Sequence, residues 1–170
     1  MMVIESSIAV ELLEDLLLKK RELGLHVLSG SMMPLVKKGD EVIFKHAEPN
    51  DIKIGDIIVF KKEDRLIVHR VIRKYYDGDS ILFLQKGDNS TNAEVISGES
   101  IIGKVFAIRK GGKNIRLDRR IWGTINKFLT FSSLLVYYFD KPFIGTLLRF
   151  FHRKAIVFIN RWMENTINRQ

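Results

Sequence analysis

The chain has no cysteine among its 170 residues, which excludes disulfides, thiolate zinc sites and a cysteine nucleophile. Histidine is scarce as well: His26, His46, His69 and His152 are the only four, and no two are spaced for one face of a helix. No metal site of paired helical histidines follows, and no cofactor is expected. Long hydrophobic runs are also missing. The two apolar stretches near the end, Phe128–Phe139 and Phe143–Phe151, each fall short of the roughly 20 residues that cross a bilayer. Acidic residues nearly vanish from the C-terminal part. Residues 104–170 hold 3 Asp/Glu against 14 Lys/Arg, whereas residues 1–103 hold 17 against 14. The net charge of +8 therefore belongs to a basic, aromatic-rich tail. Such a tail suits an anionic membrane surface, nucleic acid or an acidic partner, and charge alone does not choose among them.

What is present divides into three parts. Residues 8–23 carry Leu12, Leu13, Leu16 and Leu17 on one side, with Glu11, Glu14, Asp15, Lys19 and Lys20 elsewhere. This spacing predicts an amphipathic helix ended by Gly24, too charged for a signal peptide or an anchor. From Leu25 onward, short runs rich in Val, Ile and Phe follow: Val42–Lys45, Asp56–Lys61, Leu66–Arg73, Ser80–Gln85 and Ile101–Ile108. Turn signals at Gly39-Asp40, Pro49-Asn50, Gly78-Asp79 and Gly87-Asp88 separate them. The pattern predicts a mainly β protein (α+β overall) with an antiparallel, barrel-like core over 25–110, preceded by a helical segment over 1–24. Gly111-Gly112 marks the expected boundary to a helical tail over 111–170. In that tail Asp140-Lys141-Pro142 breaks a helical hairpin. Trp122, Tyr137, Tyr138 and Trp162 suit an interfacial position, with residues 120–164 facing anionic lipid. Helices that cap the β core or form a contact between copies remain the alternative, because amphipathicity does not distinguish lipid from protein.

The chemistry centres on Ser29-Gly30-Ser31-Met32-Met33-Pro34. A serine in this setting sits on a tight, partly exposed turn, and Ser31 needs a base to act as a nucleophile near neutral pH. His69, in Leu66-Ile67-Val68-His69-Arg70-Val71-Ile72, is the best candidate. Strand alternation groups it with Ile67 and Val71, an apolar setting that keeps imidazole neutral and able to accept a proton. A histidine base also wants a carboxylate to fix its tautomer. Asp88 in the turn Lys86-Gly87-Asp88-Asn89 and Glu94 six residues later are the two candidates. His26 and His46 read as structural or solvated.

These motifs, in this order and spacing over roughly residues 25–108, resemble the type I signal peptidases, the serine endopeptidases that remove signal peptides. The resemblance is to the branch with histidine as base, archaeal and endoplasmic-reticulum, because His69 stands where the common bacterial branch has lysine. It implies a signal-peptidase/LexA-like β core, Ser31 as nucleophile and His69 as base. It also implies two acidic positions at Asp88 and Glu94, the second usually aspartate in the family, and Ser29 as a second oxyanion donor beside the Ser31 backbone N–H. The implied partner is a signal or leader peptide with small residues near the scissile bond. The charged helix 8–23 stands where the family carries its anchor. The expectation is therefore a short, anchorless relative, peripheral to a membrane or cytoplasmic. A non-enzymatic membrane-surface or partner-binding protein on the same scaffold is the alternative. Nucleic acid is not an expected partner: too few residues precede the core for a helix-turn-helix, and the tail carries no recognition motif.

Overall fold

The computed structural model describes residues 2–3, 16, 17, 19, 21–118, 120–138, 150–155, 157–159 and 161. Nine strands run through it: β1 (Met2–Val3), β2 (Leu23–His26), β3 (Glu41–His46), β4 (Ile57–Lys62), β5 (Arg65–Asp77), β6 (Ser80–Lys86), β7 (Ala93–Ser97), β8 (Ile101–Lys110) and β9 (Lys113–Arg116). They form one sheet in the order β2-β3-β8-β4-β5-β6-β7, with β1 added on β5 and β9 on β8. Every pairing is antiparallel. One long helix, α1 (Arg120–Tyr138), follows the sheet.

The apolar runs set this arrangement. In β4 all four of Ile57, Ile58, Val59 and Phe60 are buried, because the strand is covered on both faces. Ile57 and Val59 join a large cluster with Val42, Phe44 and Leu66, whereas Ile58 and Phe60 join a smaller one with Val71 and Phe83. A continuous apolar run is the signature of such a doubly covered strand. Helix α1 closes the larger cluster with Trp122 and Leu129, which lie two turns apart on one helix face.

Five strands, β3, β4, β5, β6 and β8, appear where the apolar runs and turn signals place them, and the differences are at the edges. The helix expected over 8–23 lies mostly outside the described residues. Leu16, Leu17 and Lys19 are helical, but Leu23–His26 is strand, paired with Phe44 to Glu41. Leu25 and Val27 are buried between exposed Gly24, His26 and Leu28, a period of two that ends the helix before Gly24. Gly111-Gly112 is a hairpin turn, with φ of 51° and 79°, so the sheet runs past the expected boundary into β9. Both central positions of that tight turn need φ > 0, which glycine adopts without strain. In the tail, α1 takes in the first helical run as far as Tyr138, and residues 150–155, 157–159 and 161 are helical. The breaker at 140–142 and Trp162 lie outside the described residues. Among the described residues no helix is long and apolar enough to cross a membrane.

Candidate active site

Ser31 sits on a loop closed at its base. Val27 N–H donates to Asp40 O (2.9 Å) and Gly39 N–H to Val27 O (2.8 Å), while the Asp40 carboxylate accepts from Lys37 N–H at 2.7 Å. The Gly39-Asp40 turn is thus the clasp of the serine loop. Inside it Met32, Leu35 and Val36 are fully buried, so the core anchors the chain just after the serine. Just across the loop, Ser31 O accepts from Asn89 N–H at 2.8 Å. The Ser31 hydroxyl is within 3.1 Å of Ser29 Oγ. These contacts hold a half-buried serine between the core and the β6–β7 connection.

His69 reaches the same place from β5. It shares a cavity of about 210 Å³ with Ser29 and Ser31, walled by Leu66, Ile67 and His26. Gly87 gives the closest measure of their approach. A Cβ on that residue would stand 2.7 Å from Ser31 O and 3.0 Å from His69 Nε2. Only a residue without a side chain lets the serine loop and the imidazole converge there. His69 Nδ1 lies 2.5 Å from Gln85 Oε1. The amide oxygen can only accept, so Nδ1 carries the proton and Nε2 keeps a free lone pair. Burial lowers the imidazole below its ordinary pKa, reinforced by Lys86, while the Gln85 bond and the charges of Asp88 and Glu94 pull the other way. The ring is therefore neutral near pH 7, as a base requires.

The two carboxylates stand elsewhere. Asp88 is buried and forms a bidentate pair with buried Arg70, Nε to Oδ1 and Nη2 to Oδ2, both at 2.8 Å. Burial alone would raise its carboxyl, but the Arg70 guanidinium outweighs that and holds it below the usual range. Glu94 is half-exposed on β7 and pairs with Lys62 at 2.6 Å. The contact to Nδ1 expected of Asp88 or Glu94 is made by Gln85 instead. Arg70, one residue after His69 and pointing to the opposite face, captures Asp88 because two buried charges need each other more than a neutral ring needs a carboxylate.

Around this pair the site is braced. Arg70 Nη1 also donates to Gly55 O (3.0 Å) and to Asn126 Oδ1 of α1 (2.8 Å). Lys86 is buried with its ammonium 3.3 Å from Gly87 O, and burial lowers its pKa. His152 is buried too, Nδ1 at 2.7 Å from Ser132 Oγ and Nε2 at 3.3 Å from Asp88 O. It ties the C-terminal helical residues to the turn beneath Ser31. His46 is exposed and bonds Glu48. No group of residues fit for a metal occurs among the described residues. Sequence reasoning missed Gln85, Arg70 and His152. Arg70 did carry a signal, since an arginine within an apolar strand is rarely buried without a carboxylate partner.

Comparison with known proteins follows the same residues. The Peptidase S24-like family model matches residues 3–106, which include the serine loop, His69 and the Gly87 turn. Three catalytic subunits of the signal peptidase complex named SEC11 or SEC11C are similar to the chain. That of Lodderomyces elongisporus is 42% identical over 107 residues, covering 62% of this chain and 58% of the relative. The Scheffersomyces stipitis protein is 44% identical over 66 residues, covering 38% and 39%. The Canis lupus familiaris protein is 46% identical over 67 residues, covering 38% and 35%. The chain thus spans from about a third to somewhat over half the length of these relatives. Sheet, serine loop and histidine strand all lie within or along the matched region, and the chain belongs to the Peptidase S24-like family.

Proposed function

We propose that the protein is a signal-peptidase-like serine endopeptidase acting through Ser31 and His69. The observation that carries this reading is the convergence of both residues on one cavity across Gly87, where a Cβ would strike the Ser31 carbonyl and approach His69 Nε2. Ser31 Oγ attacks the scissile carbonyl while its proton passes to His69 Nε2. The oxyanion is held by the Ser31 backbone N–H and the Ser29 hydroxyl, which already lies beside the nucleophile. His69 then gives the proton to the leaving amine, leaving an acyl-serine that water hydrolyses by the reverse transfers. The carboxylate assistance expected of Asp88 becomes a field effect: its charge favours the imidazolium without touching the ring. An extended signal or leader peptide would dock beside the strands that line the cavity, with small residues at the scissile bond. Ser31→Ala and His69→Ala should each abolish cleavage of a small-residue leader peptide with unchanged thermal unfolding. Cleavage persisting in either variant rules the mechanism out.

A second reading concerns where the enzyme works. Phe128, Phe131, Phe150, Phe151 and Phe158 are all more than half exposed, beside exposed Lys127, Arg153 and Lys154. Aromatics interleaved with cations favour an anionic membrane surface as the tail's partner.

A further inference from the structure

We propose that Gln85 is the positioning residue of His69, so that a neutral amide does the orienting work that sequence reasoning gave to a carboxylate. The proposal rests on the reading of Ser31 and His69 above. Gln85 is buried at the end of β6, with its amide oxygen 2.5 Å from His69 Nδ1. Its place in the sheet makes the contact a built one. Gln85 is paired with Val71 on β5, two residues beyond His69, and with Glu94 on β7. Residues directly opposite in an antiparallel pair project to one face, so Val71, Gln85 and Glu94 share the face that His69 takes by alternation. The glutamine is long enough to cross the diagonal to the ring. Glu94 lies one strand further out and is held by Lys62.

The chemical consequence differs from that of an acid. An amide oxygen fixes the Nδ1–H tautomer and the ring plane, as a carboxylate does. It brings no negative charge to stabilise the imidazolium that forms during catalysis. The charges that act on the ring are then Asp88 in the β6–β7 turn, paired with Arg70, and Glu94 on β7, paired with Lys62, which favour the imidazolium, and Lys86 on β6, which opposes it. Uncharged Ser29 and Ser31 face it from the loop, with titratable His26 from β2. Burial of the ring, the largest influence on it, outweighs the groups that favour the charged form, so the imidazole loses its proton easily and the base stays available into mildly acidic solution.

The test compares Gln85→Ala and Gln85→Glu in the full chain, following both leader-peptide cleavage and the His69 ring by NMR. Gln85→Ala should lower kcat by about 10- to 100-fold with KM little changed, because an unheld tautomer costs only the proton-transfer step. The acid limb of its pH profile should move to lower pH, since a bond that favours the charged ring is gone. Gln85→Glu should restore kcat toward wild type and move the acid limb up by about one pH unit or more. A purely structural glutamine would give two variants with lower thermal stability and unmoved limbs, and that result overturns the proposal. The NMR arm is independent of activity: wild type should show a protonated Nδ1 that Gln85→Ala loses. If that holds while Ser31→Ala still cleaves, the proposed function fails and the positioning contact stands. An Nδ1 signal identical in wild type and Gln85→Ala contradicts the contact itself.

Discussion

Removing the Asp88 carboxylate is the sharpest test of how this site is held. In Asp88→Ala, Arg70 keeps its bonds to Gly55 O and Asn126 Oδ1 but loses both bonds to the carboxylate. The guanidinium is fully buried and has no water to turn to, so the variant leaves an uncompensated charge in the core. Breaking such a pair from one side costs about 3–5 kcal/mol. For a chain of this size that is roughly 6–20 °C in Tm. Urea and thermal unfolding at pH 7 would measure it. Arg70→Ala should cost a similar amount, and the double variant far less than the sum, since the second change removes the orphaned charge left by the first. Acid should reproduce the loss in wild type. Asp88 is depressed below its ordinary value of 3.8 in the folded protein, so its contribution is complete above that pH and fades as pH falls through the folded pKa. Additive single losses, or an Asp88→Ala variant within about 1 kcal/mol of wild type, would refute the reasoning.

Three further expectations follow from the same geometry. Gly87→Ala puts a methyl 2.7 Å from Ser31 O and 3.0 Å from His69 Nε2; peptide-cleavage kinetics should show kcat falling about 100-fold, because misplacing reacting groups by about 1 Å has that effect. Glu94→Gln removes only a half-exposed pair with Lys62, so cleavage rates should stay within about twofold and stability within roughly 1 kcal/mol; a large loss of activity would return the orienting role to Glu94. Phe131→Glu with Phe158→Glu, two exposed aromatics, should weaken sedimentation of the full chain with vesicles rich in anionic lipid, and equal partitioning with wild type counts against the membrane reading.

The serine loop and the histidine strand were legible because their signals are local. A Ser-Gly-Ser turn ahead of a proline, a histidine in an alternating apolar run and a Gly-Asp turn each announce themselves within a few residues. Gln85 does not. A glutamine at a strand end serves many purposes, and its use here depends on the diagonal between β5 and β6, where the register shifts between Val71 and Arg73. The partner of Asp88 was hidden for a related reason: Arg70 stood next to His69 in the sequence, and burial decided which of the two took the carboxylate. At the margins, β7 leaves no sequence signal because every residue of Ala93–Ser97 is half-buried or exposed and the strand lacks an apolar run. β2 begins at Leu23, inside the stretch whose spacing predicts a helix, because Leu23 continues a leucine-rich run and the period changes only around Gly24.

Labelling of Ser31 by a serine-directed acylating or phosphonylating probe tests the central claim most directly, because it reads the nucleophile without needing the natural substrate. One probe per chain should attach at Ser31, with a rate that rises through an acid limb below the ordinary histidine value of 6.5, and His69→Ala should abolish it. Labelling at another residue, or a Ser31 rate untouched by His69→Ala, would contradict the account.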